Sequence, residues 1–244
     1  MYSSTVNSNL WRLMLPTVSL LVMGFLLRGL EPLVRAPVRW RGEQLTTLVG
    51  QGVFFAVLGG LRSSVASGFW LRAHQAWEQH DGVAMEALIG LTVAADERPV
   101  YFWLNGARML AHDVPAWLPA TTPVAVRRRA IDDQAWRALR LLERGLRWHG
   151  AEAGLYVEMA NIHLHRLGDP VRAAACYRLA AEQPGAPYFA ARLHAELLRE
   201  LGHPREALAW LRQLLPTLPA DDPSARREVV LERIQALEGE LAAH

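Results

Sequence analysis

The chain has 244 residues, a net charge of +2 and 51% hydrophobic residues, which leaves room for one membrane segment plus one soluble domain of ordinary size. Its 26 basic residues are all arginine and are interleaved with 24 acidic ones, so no concentrated nucleic-acid footprint is present. The single cysteine, Cys176, excludes an intrachain disulfide.

From the N-terminus, the run Leu13 to Leu27 carries no charge. With Leu10 and Trp11 it approaches the roughly 20 residues that cross a bilayer. Arg12 and Trp11 sit where interfacial anchors belong, and no small-x-small cleavage site follows. We therefore expect an uncleaved membrane anchor over residues 1–30. Residues 31–67 hold a basic linker and a second apolar run, Leu45 to Leu61, which contains two Thr, one Gln and four Gly. That run reads as an interfacial or buried helix, or as a second crossing. With one crossing, the arginines behind the first segment place the following domain in the cytoplasm; with two, it lies outside. The expected location is the bacterial cytoplasmic membrane.

Beyond residue 62 the pattern is helical, with Ala, Leu, Arg and Glu dominant. Leu167-Gly168-Asp169-Pro170 recurs 34 residues later as Leu201-Gly202-His203-Pro204, and Ala173 recurs as Ala207. Glycine at 168 and 202 suits the left-handed close of one helix, and proline at 170 and 204 suits the first turn of the next. Ala173 and Ala180 share a face that allows close helix approach, with Tyr177 and Leu211 as knobs. Asp81-Gly82 reads as an upstream copy, aligned with Gly202 so that Ala87 matches Ala207 and Leu91 matches Leu211. The gap from Gly82 to Gly168 then holds one further hairpin with helices near 100–112 and 125–148 and an insertion near 113–132. Repeats span 68–220. Residues 221–244 form a capping helix opened by Asp222-Pro223-Ser224, with Val230, Ile234, Leu237 and Leu241 as its stripe.

These residues resemble the tetratricopeptide repeat (TPR) family, in particular its membrane-anchored bacterial members, over roughly residues 68–220. Asn161 and Ala195 stand where that family usually has glycine. The resemblance implies an all-α fold, an α-solenoid of helical hairpins preceded by an N-terminal transmembrane helix. It also implies a concave face that binds a protein or peptide. Helix phase nominates Arg72, Trp103, Glu158, His165, Arg166, Arg192, Glu196 and Arg199 as exposed groove residues. Trp117, between two prolines, is either pinned to the domain or offered to a partner.

No phosphate loop or nucleophile elbow occurs, so no catalytic residue, metal or cofactor is expected. His163 and His165, two apart on a helix, point in different directions; His194 lies on the next first helix. Cys176 reads as a packing residue, Asp132 as a helix cap, and Trp70, Trp77, Trp136 and Trp210 as core. Arg127-Arg128-Arg129 is the one dense charge cluster and reads as a solvated helix start or a grip on acidic lipid or protein. The expected function is a membrane-tethered interaction scaffold or assembly adaptor. It would bind a protein or peptide, such as a component of a membrane complex, and touch lipid through the N-terminal helix. The alternatives are an integral structural subunit of a larger membrane complex and an enzyme without a recognisable motif.

Overall fold

A computed structural model of the chain describes residues 61–242. The expected membrane segment and nearly all of the second apolar run lie outside the described residues. Among the described residues no helix is long and apolar enough to cross a membrane. The described chain is all-α: helices and turns, with no strand.

Four helix pairs follow one another. They are α1 (Arg62–Glu78) with α2 (Gly82–Ala95), α3 (Val100–Arg108) with α4 (Val124–His149), α5 (Ala153–Ile162) with α6 (Pro170–Ala181), and α7 (Tyr188–Glu200) with α8 (Pro204–Leu214). A last helix, α9 (Arg227–Ala242), packs on α8. Successive helices pack in chain order, and the first helices α3 and α5 also touch. Helix α3 does not stop at Arg108. It runs through a π turn (Met109–Asp113) into one more helical turn (Val114–Ala116), so only residues 117–123 separate it from α4. Helix α5 likewise ends in a π turn, His163–Leu167.

The hairpin turns explain where the pairs begin and end. Gly168 (φ 66°) and Gly202 (φ 82°) occupy the left-handed conformation that closes a helix and that side chains with a Cβ resist. Asp169 then caps α6 by accepting from the Arg172 amide at 2.9 Å, and Pro170 fills the first helical turn, where no amide donor is required. In the first pair the left-handed residue is His80 (φ 56°), with Asp81 as the N-cap and Gly82 as the first residue of α2. The upstream copy therefore aligns two residues away from the expected register: His80-Asp81-Gly82 corresponds to Gly168-Asp169-Pro170. In that alignment Met85, Ala173 and Ala207 coincide, as do Ile89, Tyr177 and Leu211, and all six are buried. The sequence misled because histidine, one of the few non-glycine residues that tolerate this conformation, took the place of the glycine.

The core falls into three clusters of buried residues along the pairs. Trp103, Met85, Ile89, Leu139 and Leu142 fill the first two pairs, Tyr177 the third, and Leu211, Val230 and Leu237 the last and its cap. Each such side chain removed from water contributes about 1.5–3 kcal/mol. Close approach needs small residues: a Cβ on Gly106 would stand 2.6 Å from Ile89 Cγ2. Trp103 is buried to 1% exposure, with its indole N–H donating to the Glu97 carbonyl at 2.9 Å. It is a core residue and not part of an exposed groove; helix phase alone put it on the wrong face of α3. Trp70 is buried and Trp210 half-buried, whereas Trp77 and Trp136 are exposed. These two remain outside because each ring is held by a polar partner at the rim. Trp77 donates to Asp113 Oδ2 at 2.8 Å, and the Arg172 guanidinium sits 5.5 Å from the Trp136 ring.

Two smaller expectations meet the structure differently, and one buried carboxylate adds to them. Asp132 caps nothing; it lies inside α4, which starts at Val124, and pairs with Arg128 one turn earlier at 2.8 Å. Asp222-Pro223-Ser224 opens a 3₁₀ turn (Pro223–Ala225), and the helix proper begins at Arg227 after Arg226 turns left-handed (φ 47°). Asp96, buried at the end of α2, accepts from Ser63 Oγ at 2.8 Å and from Arg98 Nε at 2.8 Å. The Arg98 hydrogen bond, against the opposing effect of burial, lowers its pKa to about 2.

Candidate functional site

The two π turns face each other across the junction of α3 and α5. A shallow cavity of about 540 Å³, largely open to solvent, lies there, lined by Arg108, His112, Asp113, Glu158, Asn161 and His165. Every lining residue lies in one of these two first helices or in its π turn. The arrangement has a local cause. Helix α5 begins at Ala153 and α7 at Tyr188, 35 residues on, whereas their closing glycines are 34 residues apart. One residue is in surplus in α5, and a π turn absorbs such a surplus without breaking the helix. The Asp169 amide reaches back to the His163 carbonyl at 2.8 Å, one residue further than the His203 amide reaches to Leu198 at the end of α7.

Glu158 forms the floor of the cavity. Its side chain is 3% exposed, and Arg108 Nε donates to its Oε2 at 2.8 Å, joining the second pair to the third. His112 Nε2 lies 3.7 Å from Oε1. Burial alone would raise the Glu158 pKa, but the opposing His112 and Arg108 side chains outweigh it and hold the carboxyl below its ordinary value. Glu158 is thus buried and ion-paired, not exposed as helix phase suggested. Hydrophobic spacing records only which face turns inward, and here the inward face carries a satisfied charge.

The walls are fixed by the hairpin core. Tyr177, a buried knob of α6, donates its hydroxyl to Asn161 Oδ1 at 2.7 Å, which leaves the Asn161 amide group free to donate elsewhere. Asp113 is held by the Trp77 indole of α1. Arg108 and His112 reach the rim with about half and a third of their side chains exposed, and His165 is exposed. The outcome is a surface with guanidinium, imidazole and amide donors beside carboxylate acceptors, of which Arg108, Glu158, Asn161 and Asp113 are fixed by side-chain partners. Among the described residues no three His, Cys, Asp or Glu side chains converge as a metal site. Cys176 is buried, and burial pushes its thiol up to about 11, which removes it as a nucleophile at neutral pH.

Of the residues nominated from sequence, Glu158 and His165 meet in this cavity and the others do not. Arg192, Glu196 and Arg199 lie on α7 and tie down the C-terminal end. Arg192 donates to the Ala225 carbonyl at 2.9 Å, while Glu196 pairs with Arg199 at 2.6 Å and with Arg233 of α9 at 2.9 Å. Arg72 is half-exposed and contacts Gln75 of its own helix. Arg166 ends α5 half-buried, near Arg128. Trp117 is pinned: it packs half-buried against the core and stacks on His80, with ring centroids 4.9 Å apart. The sequence reading missed Arg108, His112, Asp113 and Asn161. Their signal was present as spacing, with Arg108 and His112 four apart and Glu158, Asn161 and His165 three and four apart, each set one stripe of a helix.

His163 and His194 are buried. His163 turns inward, edge-on to Trp136, and burial lowers its pKa. His194 does not approach it; its Nδ1 lies 2.8 Å from the Ala174 carbonyl and its ring packs edge-on against Trp210. His194 borders a second, more apolar cavity of about 520 Å³ between α6, α7 and α8, with Val171, Leu198 and His203 also in its lining. No protein-family model, curated protein or solved structure matches this chain.

Proposed function

We propose that this chain is an α-solenoid of TPR-like hairpins that acts as a membrane-tethered interaction scaffold or assembly adaptor. It would hold a partner protein or peptide on the surface shared by its first helices. One observation carries the reading: the cavity between the two π turns, where polar side chains from consecutive hairpins are held in place by the hairpin core. Its mixed donors and acceptors suit a polypeptide segment, which presents both kinds of group. The repeats supply a continuous surface on either side of it. The tether rests on the charge-free run Leu13 to Leu27, which would confine the search for a partner to the membrane plane.

The test is photocrosslinking in the native membrane. A photoreactive residue at Arg108 or His165 should yield one discrete adduct. The same residue at Ala175 or Ala209, exposed on second helices, should yield none. Equal labelling at all four positions, or none at the cavity, would sink the reading. In the binding assay that follows, Glu158→Gln combined with Arg108→Ala should weaken the partner by about tenfold or more, the cost of about one lost charged hydrogen bond.

A further inference from the structure

The tip of the second hairpin combines two features that a purely solvated helix start avoids. Pro119, Ala120, Val124, Ala125 and Val126 are all exposed, Val124 to 85% and Val126 to 55%. Arg127, Arg128 and Arg129 follow directly, although the start of a helix favours acidic residues and the first turn of α4 has none. Arg127 Nη2 donates to the Pro119 carbonyl at 2.6 Å, and Arg128 pairs with Asp132 and reaches the Leu167 carbonyl at 3.1 Å. Arg129 has no hydrogen bond or ion pair among the described residues. Arg166 adds a further positive charge beside Arg128, and its Nε has no hydrogen-bond partner among the described residues. The acidic residues nearby, Asp132 and Asp133, lie one turn further along α4, away from the apolar tip.

We propose that this tip (Pro119 to Val126 with Arg127, Arg128 and Arg129) is a contact for an anionic bilayer surface. The small apolar side chains enter the interfacial region while the arginines meet lipid phosphates. An anionic bilayer accepts both halves at once, because its headgroup layer offers negative charge directly over an apolar phase. An acidic protein segment would satisfy the arginines and leave Val124 and Val126 in water. The contact is separate from the cavity and, through it, one edge of the domain would rest on the membrane. It draws on the tether reading only for the nearness of a bilayer.

The full chain is labelled at Thr121→Cys with an environment-sensitive thiol dye; Cys176 is buried and stays unlabelled. It is then mixed with vesicles of phosphatidylcholine, with or without phosphatidylglycerol, carrying brominated acyl chains. Quenching should appear with phosphatidylglycerol, fade in high salt, and drop at least about tenfold in R127E/R128E/R129E. The combination V124S/V126S should reduce it while keeping the salt dependence. Flotation of the chain with neutral vesicles reports the tether separately, so the two ideas fail independently. Equal quenching in both lipids, or none in either, overturns the proposal. So does a dye response to soluble polyglutamate that anionic vesicles do not reproduce, which would assign the tip to an acidic protein.

Discussion

Replacing Arg108 with alanine isolates the charge at the floor of the cavity. Glu158 is then left 3% exposed with only His112 at 3.7 Å. Removing one member of a fully buried ion pair costs about 3–5 kcal/mol. Here 52% of the Arg108 side chain is exposed, so water screens the pair and a cost of about 2 kcal/mol at pH 7 follows. The pH dependence gives the reasoning its direction. In the parent chain the Glu158 pKa is depressed, so its stabilising contribution is complete above the unfolded value of about 4.3 and is lost as pH falls through the folded one. In Arg108→Ala burial acts without the guanidinium and the folded pKa moves up. The deficit therefore exists where Glu158 is charged, begins to close as the pH falls through the variant's raised pKa, and closes fully only below the parent's depressed one. Urea unfolding of the full chain, followed by tryptophan fluorescence at several pH values, measures it. Glu158→Gln in the same background should remove most of the pH dependence. An equal deficit at pH 4 and pH 7, or one below about 0.5 kcal/mol at neutral pH, would refute the assignment of Glu158 as a buried, guanidinium-held carboxylate.

Asp96→Asn should destabilise by about 1–2 kcal/mol at pH 7, less than the full pKa shift implies because Arg98 is largely exposed. Since the folded pKa of about 2 lies below the unfolded value, this difference should vanish as urea midpoints are followed down through that pH. Two glycines should respond in opposite senses. Gly106→Ala drives a methyl into Ile89 and should cost about 1–3 kcal/mol, whereas Gly90→Ala meets open space and should gain about 0.5–1 kcal/mol in the same unfolding assay. Cys176 should react with a disulfide reagent at pH 8 only in denaturant; rapid labelling of the folded chain would contradict its burial and raised pKa.

What the sequence made legible was whatever local chemistry determines. The turns at Gly168 and Gly202 could be read because a left-handed close followed by a proline leaves few alternatives to glycine. The packing faces of α6 and α8 could be read because Ala173, Ala180 and Ala207 repeat at helical spacing. The first pair was displaced by two residues because His80 stands in the glycine position, and a histidine carries no turn signal of its own. The cavity was half-visible. Glu158 and His165 were chosen from one helix, but their partners Arg108 and His112 lie some 50 residues earlier, and no periodicity links the two segments. Trp77 and Trp136 were assigned inward from their places in the hairpins, yet each has a specific polar partner that holds its ring at the surface.

The two π turns border the site. A residue inserted into an α-helix rotates everything beyond it by about 100°. Localised as a π turn, the surplus leaves the hydrophobic contacts on either side in register and changes only which side chains meet across the neighbouring helices. In α5, Glu158 and Asn161 precede the turn and His165 lies within it; in α3, Arg108 precedes it and His112 and Asp113 lie within it. The spacings 108/112 and 158/161/165 share one stripe of a continuous α-helix as well, so the π turns border these sets without creating them. A site at the junction of two such turns draws residues from both hairpins, so it exists only when the hairpins are stacked, and the binding proposed there would report the integrity of the stack as well as the presence of a partner.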